Sequence, residues 1–377
     1  MKNKLLIVAS VLIIAVACIV IFQKSIDKTL IGNSDNSSPT KLEQNSYSKN
    51  PLKIILLIGD GMGINHTQIG RITMGGPDFN MAVDRMPIQG TVINHSYDSL
   101  NIDSAASATA WATGTSTINR FVGVDPAQRS VPNISEVLEE HGFLSGLVAT
   151  SSITHATPAA HYAHVGSRYE EEEIASQLVN SNIHIALGGG KEFFNLDDSK
   201  DATFFFDLDK IPGAAFKTGR VIGLFAEDGI NRGEGPSQLE MTKVALDYLH
   251  QDSPCSKFFL MSEGSQIDWA SHDNDLKAML IELEDFNATV NTVLDYASQR
   301  DDVLVVVSSD HETGGLTVLG QKDDFVYSRW NTDKHSLNQI GIYAYGPGAE
   351  AFAGKMDQTE IFTKLTSLAN KETCTIN

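Results

Sequence analysis

Six apolar runs punctuate the chain: KIILLIG (Lys53 to Gly59), GLVATS (Gly146 to Ser151), IHIALGG (Ile183 to Gly189), KFFLMS (Lys257 to Ser262), DVLVVVSS (Asp302 to Ser309) and IGIYAYG (Ile340 to Gly346). None alternates polar with apolar as a half-exposed strand must, so they predict strands of a sheet covered on both faces. Between them apolar residues recur at three- and four-residue spacing, as in Leu276, Leu280, Leu283, Phe286, Val290, Leu294 and Ala297. That spacing predicts helices with one buried stripe. Strands alternating with helices predict an α/β fold, a three-layer α/β/α sandwich with a largely parallel central sheet. No internal repeat or second domain is visible, and the folded region is expected to span residues 51–377.

Open α/β sheets bind ligands at the carboxyl ends of their strands. Asp60 follows the first run, His155 and Thr157 follow the second, Glu263 follows the fourth, and Asp310 and His311 follow the fifth. Segments far apart in the chain are therefore predicted to converge on one crevice.

The N-terminus carries a different pattern. After MKNK comes the apolar stretch Leu5 to Phe22, so residues 1–22 read as an export signal or membrane anchor. Ala15-Val16-Ala17-Cys18 resembles a lipoprotein cleavage box with Cys18 as the lipidated residue, and an uncleaved span at the lower edge of membrane length is the competing reading. Both place the protein in the periplasm or at the cell surface, attached to the membrane through its N-terminus. Residues 23–50, with the Ser/Asn-rich GNSDNSSPTKLEQNSYSKN, are expected to form a flexible tether. Cys255 and Cys374 leave room for one disulfide and for no framework of them.

The net charge of −19 opposes nucleic acid as a partner, because nothing in the sequence supplies a basic footprint for a phosphate backbone. An anionic ligand would need local positive charge, which bound metal ions supply.

Candidate chemistry begins at NIDSAASATAWATG, residues 101–114, where Asp103 and Ser104 precede a run of small residues. An ordinary helix cap accounts for that pair. A nucleophilic Ser104 at the positive end of a helix dipole accounts for it too. GDGMG around Asp60 reads as a turn or as a ligand-bearing loop. Asp268 and His272 stand four apart, on one face if EGSQIDWASH is helical, which suits either a surface ion pair or two ligands of one metal. Adjacent Asp310 and His311 follow a very apolar strand, where a solvated turn would not require both. His335 is a lone histidine before a strand, and GGGK (Gly188 to Lys191) lacks the spacing of a phosphate loop. Together the carboxylates and imidazoles, with no thiolate among them, could hold two or three divalent ions, zinc on mixed nitrogen and oxygen ligands and magnesium on a harder oxygen site.

LLIGDGMG, DSAASATAWATG, THATPAAHYAHVGSR, SEGSQIDWASH, SSDHETGG and KHS…YAYGPG occur in an order that resembles the alkaline phosphatase family, from about Leu52 to Gly348. The resemblance implies a phosphate monoesterase in which Ser104 becomes phosphorylated. Asp268, His272 and His335 would hold one zinc, and Asp60, Asp310 and His311 the other. Asp60 would also reach a third site with Thr157 and Glu263, normally filled by magnesium. Arg168 would clamp two phosphate oxygens with its planar fork, steadied by Asp103. A homodimer is the usual assembly. Two positions depart from the enterobacterial pattern, His155 for an aspartate and Trp269 for a lysine. An imidazole at the third site favours zinc or cobalt over magnesium. A related phosphodiesterase or sulfatase, and a non-catalytic surface protein that binds metal or phosphate, are the alternatives; an intact Ser104 and a complete ligand set speak against the latter.

Overall fold

The computed structural model describes residues 26–33, 39–47, 50–197, 201–211, 219–250 and 256–369. The N-terminal signal or anchor with Cys18, and both Cys255 and Cys374, lie outside the described residues. Among the described residues no helix is long and apolar enough to cross a membrane.

In chain order the elements are β1 (Ile26–Leu30), β2 (Lys53–Gly59), α1 (Ile64–Gly75), β3 (Ile88–Ile93), α2 (Ser104–Thr113), α3 (Ile134–Glu139), β4 (Leu144–Ser152), α4 (Ala156–Ala159), α5 (Glu171–Asn180), β5 (Ile183–Gly189), β6 (Ala202–Phe205) and β7 (Arg220–Leu224). They continue with α6 (Gln238–Leu249), β8 (Phe258–Gly264), α7 (Gln266–His272), α8 (Leu276–Ser298), β9 (Val303–Ser308), β10 (Glu312–Thr313), β11 (Thr317–Lys322), β12 (Phe325–Arg329), β13 (His335–Ser336), β14 (Ile340–Tyr345), β15 (Gly354–Asp357) and α9 (Glu360–Leu368).

Ten strands form one sheet in the order β15-β3-β14-β9-β2-β8-β4-β5-β7-β6. Successive side chains of a strand point to opposite faces, so a continuously apolar strand feeds two cores at once. In β2, Ile54, Leu56 and Ile58 enter the core under α2, α3, α5 and α9. Ile55 and Leu57 enter the core under α1, α6 and α8. The three-layer sandwich thus follows from the apolar runs. In α8, capped by Asp275 through the Ala278 amide, Leu276, Leu283, Phe286, Val290, Leu294 and Ala297 are buried.

One strand runs against the rest. β14 is antiparallel to both β3 and β9, whereas the remaining neighbours pair in parallel. Its amino end therefore lies at the sheet edge where the other strands have their carboxyl ends. That reversal brings His335, just before β14, to the same edge as Asp60, Glu263 and Asp310.

Part of the segment expected to be a loose tether is ordered against the domain. β1 pairs with the edge of β12 from Ile26↔Arg329 to Leu30↔Phe325. Beyond it, the Ile31 amide donates to the Asp324 carbonyl at 2.9 Å, Gly32 to Ile72 at 2.9 Å and Leu42 to Arg85 at 2.8 Å. These bonds use main-chain groups that every residue carries, so a polar composition gave no sign of them.

Candidate active site

Ser104 is the first residue of α2, and Asp103 is its N-cap, accepting from the Ala106 amide at 3.0 Å. Cap and candidate nucleophile are neighbours, so the two readings of this pair are not exclusive. Every residue of α2 is buried, and the helix packs on α4 and α9, which its small side chains allow. The other Asp103 oxygen accepts from the Arg120 amide at 3.0 Å and from Arg168 Nη1 at 3.3 Å. A cationic fork is thereby held beside Ser104. The Ser104 hydroxyl stands 3.2 Å from His311 Nε2.

The carboxylates converge as the strand ends predict. Asp60, at the end of β2, Glu263, in β8, and Asp310, after β9, are all essentially without solvent exposure. Among the described residues neither oxygen of Asp60 has a hydrogen-bond partner, and Oδ2 of Asp310 faces the His311 ring at 3.1 Å. Burial first, then the charges of Asp310, Asp268 and Glu263, push the Asp60 carboxyl well above the usual range. Burial likewise lifts Glu263 to about 7. Asp310 is also buried, yet the His311 ring and the Gly61 amide hold it low. Buried carboxylates with orphaned oxygens are costly unless a cation neutralises them.

The imidazoles carry the same message. His272 Nδ1 faces the Asp333 carbonyl at 2.6 Å, and His335 Nδ1 faces the Ile102 carbonyl at 2.7 Å. Carbonyls only accept, so each Nδ1 carries the proton and each Nε2 presents a lone pair. Those two Nε2 atoms nevertheless lie 3.1 Å apart, with Asp268 Oδ2 3.4 Å from His272 and Oδ1 3.7 Å from His335. Lone pairs converging without a proton between them are a donor set for a cation.

Three groupings of ligand atoms fall within 4.8 Å: Asp268, His311 and His335; Asp60, Asp310 and His311; and Asp60, His155 and Glu263. His311 belongs to the first two, with Nε2 3.1 Å from Asp310 Oδ2 and 3.5 Å from Asp60 Oδ1. Its ring stacks on His335 at 3.5 Å between centroids. Thr157, in α4, is buried at the third grouping, and Arg168 Nη2 lies 2.8 Å from His155 Nε2. Trp269 meets His155 edge to face at 6.1 Å. Asp60, His155, Glu263, Asp268, Asp310, His311 and His335 thus come together at this one sheet edge, with His272 on His335 and Arg168 on His155.

GDGMG is more than a turn. Gly61 has φ +70°, and a Cβ there would press on Asp268 Oδ1 and Thr313 Oγ1 at 2.9 Å. Its amide donates to Asp310 Oδ1 at 3.1 Å.

Several supporting residues escaped the sequence reading. Thr313 donates its hydroxyl to Asp268 Oδ1. Ser265 donates to Glu263 Oε2 at 2.6 Å, and Asn94 and Ser107 each donate to the Asp310 carbonyl at 2.9 Å. Thr313 and Ser265 lie two residues from a candidate ligand, and that proximity was the available signal; Asn94 and Ser107 offered none.

Comparison with known proteins agrees with this geometry. The model of the alkaline phosphatase family matches residues 49–217 and 207–329. The chain is 33% identical to alkaline phosphatase 4 of Bacillus subtilis, over 81% of this chain and 86% of the relative. It superposes on the alkaline phosphatase of the Antarctic bacterium TAB5 with a TM-score of 0.78 at 33% identity, covering 85% of this chain and 98% of that one. A histidine-to-aspartate mutant of the TAB5 enzyme with magnesium bound in the M3 site superposes with a TM-score of 0.79 at 32% identity, over the same shares of the two chains. Fold, site and these likenesses define a metal-dependent phosphatase. The chain belongs to the alkaline phosphatase family and has alkaline phosphatase activity.

Proposed function

We propose that this enzyme hydrolyses phosphate monoesters through a phosphoserine formed on Ser104. One observation carries the reading: Ser104 Oγ lies 3.2 Å from His311 Nε2, while the preceding residue, Asp103, holds Arg168. A hydroxyl at a helix N-terminus is thus framed by a cation-seeking cluster on one side and a guanidinium on the other.

Asp268, His272 and His335 would hold one zinc, and Asp60, Asp310 and His311 a second. Asp60, His155, Thr157 and Glu263 would surround a third ion, magnesium or a softer one. The orphaned Asp60 oxygens and the facing Nε2 lone pairs fit this loading. When bound, the zinc ions supply charge that lowers the pKa of the Ser104 hydroxyl and stabilises the departing oxygen.

Arg168 binds two free oxygens of a terminal phosphate with its fork and fixes phosphorus opposite Ser104. Ser104 Oγ releases its proton to solvent and bonds to phosphorus as the bond to the alcohol oxygen breaks, and the alcohol leaves with a proton from water. Water then attacks phosphorus and gives up a proton to solvent, the bond to Oγ breaks, Oγ takes a proton back, and inorganic phosphate departs. Both steps depend on positioning and charge neutralisation, as phosphoryl transfer requires. A diester carries one negative charge over two non-bridging oxygens where a monoester carries two over three, so a cationic site attracts it less, which favours monoesters. The zinc-loaded enzyme should cleave p-nitrophenyl phosphate far faster than bis-p-nitrophenyl phosphate; equal rates or a preference for the diester would overturn the monoester assignment.

A further inference from the structure

Glu312 is a buried carboxylate one residue beyond His311 to which the chemistry above gives no role. It does not face the ion-seeking groups. Its oxygens accept from the Leu316 amide at 2.9 Å, from the Gly315 amide at 3.2 Å and from the Ser336 hydroxyl. Room for it is made by Gly63, where any Cβ would collide with the Glu312 side chain.

The backbone context gives these bonds their consequence. β10 and β13 form a two-residue antiparallel ribbon in which Glu312 pairs with Ser336 and Thr313 with His335. Glu312 therefore bonds the side chain of its own cross-strand partner, while its neighbour Thr313 lies across from His335 and donates to Asp268. A ladder this short has little register information of its own, and a one-residue slip would turn His335 to the opposite face. The Glu312–Ser336 bond fixes that register.

We infer that Glu312 is a positioning residue for the Asp268–His272–His335 cluster, acting through Ser336 to hold the His335 imidazole where it meets Asp268 and His272. This rests on the reading of that cluster as a zinc site. Residues that orient metal ligands from outside the coordination shell typically contribute about 10- to 100-fold in metal affinity. Glu312→Gln replaces one acceptor oxygen by an amide N–H₂, which sets a donor against either the Leu316 amide or the Gly315 amide and Ser336 hydroxyl. Ser336→Ala deletes only the hydroxyl and keeps the carboxylate.

The test measures the zinc equivalents of the full-length enzyme by competition with a chromophoric chelator, alongside the visible spectrum of the cobalt-substituted protein. In Glu312→Gln one equivalent should weaken by about 10- to 100-fold with an altered cobalt spectrum, while the others keep wild-type affinity. Ser336→Ala should weaken the same equivalent by less, and the double variant should be no weaker than Glu312→Gln alone. His272→Ala identifies that equivalent by removing it. If it removes none, the zinc reading of the cluster fails and the inference with it. If it removes one, but Glu312→Gln and Ser336→Ala leave zinc binding unchanged or weaken all equivalents in parallel with thermal stability, Glu312 is a structural residue and the inference is wrong.

Discussion

Arg168 Nη2 lies 2.8 Å from His155 Nε2 while Nη1 of the same guanidinium lies 3.3 Å from Asp103 Oδ2. A guanidinium can only donate, so His155 accepts with its Nε2 lone pair. Burial, reinforced by the Arg168 charge, lowers His155 to about 3 and keeps the ring neutral. A neutral imidazole has one lone pair. The grouping of Asp60, His155 and Glu263 needs that same lone pair for a cation. In the proposed reading, phosphate clamp and third ion site therefore compete for the single lone pair of one neutral ring.

An aspartate at this position would remove the competition, since one carboxylate oxygen can accept from Arg168 while the other ligates the ion. His155→Asp also adds a negative charge, so magnesium should bind more tightly, on the order of tenfold. Activity after chelation should then respond to added magnesium more strongly than in the wild type. Equal magnesium dependence in the two proteins would mean that His155 stands outside the coordination shell.

Arg168→Lys keeps the charge and loses the fork. If the clamp grips the phosphoryl oxygens in ground and transition states alike, as proposed, KM and the inhibition constant for inorganic phosphate should rise by about tenfold while kcat falls less. Steady-state kinetics with phosphate as a product inhibitor will separate the two. A fall in kcat with KM unchanged would assign Arg168 to the transition state alone.

The strand cores and much of the site were legible in the sequence because each depends on a local pattern. Ile54 to Ile58 is apolar without interruption, and a strand buried on both faces has no other way to be written. Asp60, Glu263 and Asp310 could be placed because the parallel strands run in a common direction and share a carboxyl edge. His335 could not be placed that way. It precedes its strand, and only the antiparallel setting of β14, a property of the assembled sheet, brings it to that edge. The ordering of Ile26–Leu30 was hidden for a similar reason, since its bonds to β12 are made by the main chain.

Glu263 offers a test of the buried carboxylates in the chelated protein. Its pKa is raised by burial from 4.5 to about 7, so the stability that its protonated form provides is complete below the unfolded pKa and is lost as pH rises through about 7. Glu263→Gln removes that loss. Relative to wild type, the chelated variant should therefore be more stable at about pH 8 than at about pH 5, as measured by urea unfolding. A stability difference independent of pH would show that Glu263 does not titrate in this range.

The N-terminal pattern gives a cellular expectation. Full-length protein should fractionate with membranes, and a chain begun at Ile26, which retains β1, should be soluble and active. Cys18→Ser distinguishes the two modes of attachment, because it should release a lipid-anchored protein from the membrane and leave one held by an uncleaved apolar segment in place. Full-length protein found free in the periplasm would contradict both.

The phosphoserine is the centre of the account. Incubation of the zinc-loaded enzyme with radiolabelled phosphate, acid quenching and peptide mapping should place one label on Ser104. Ser104→Ala should carry none, with phosphatase activity lower by at least about a thousandfold and the fold unchanged. A label on any other residue, or a Ser104→Ala variant that retains wild-type turnover, would contradict it.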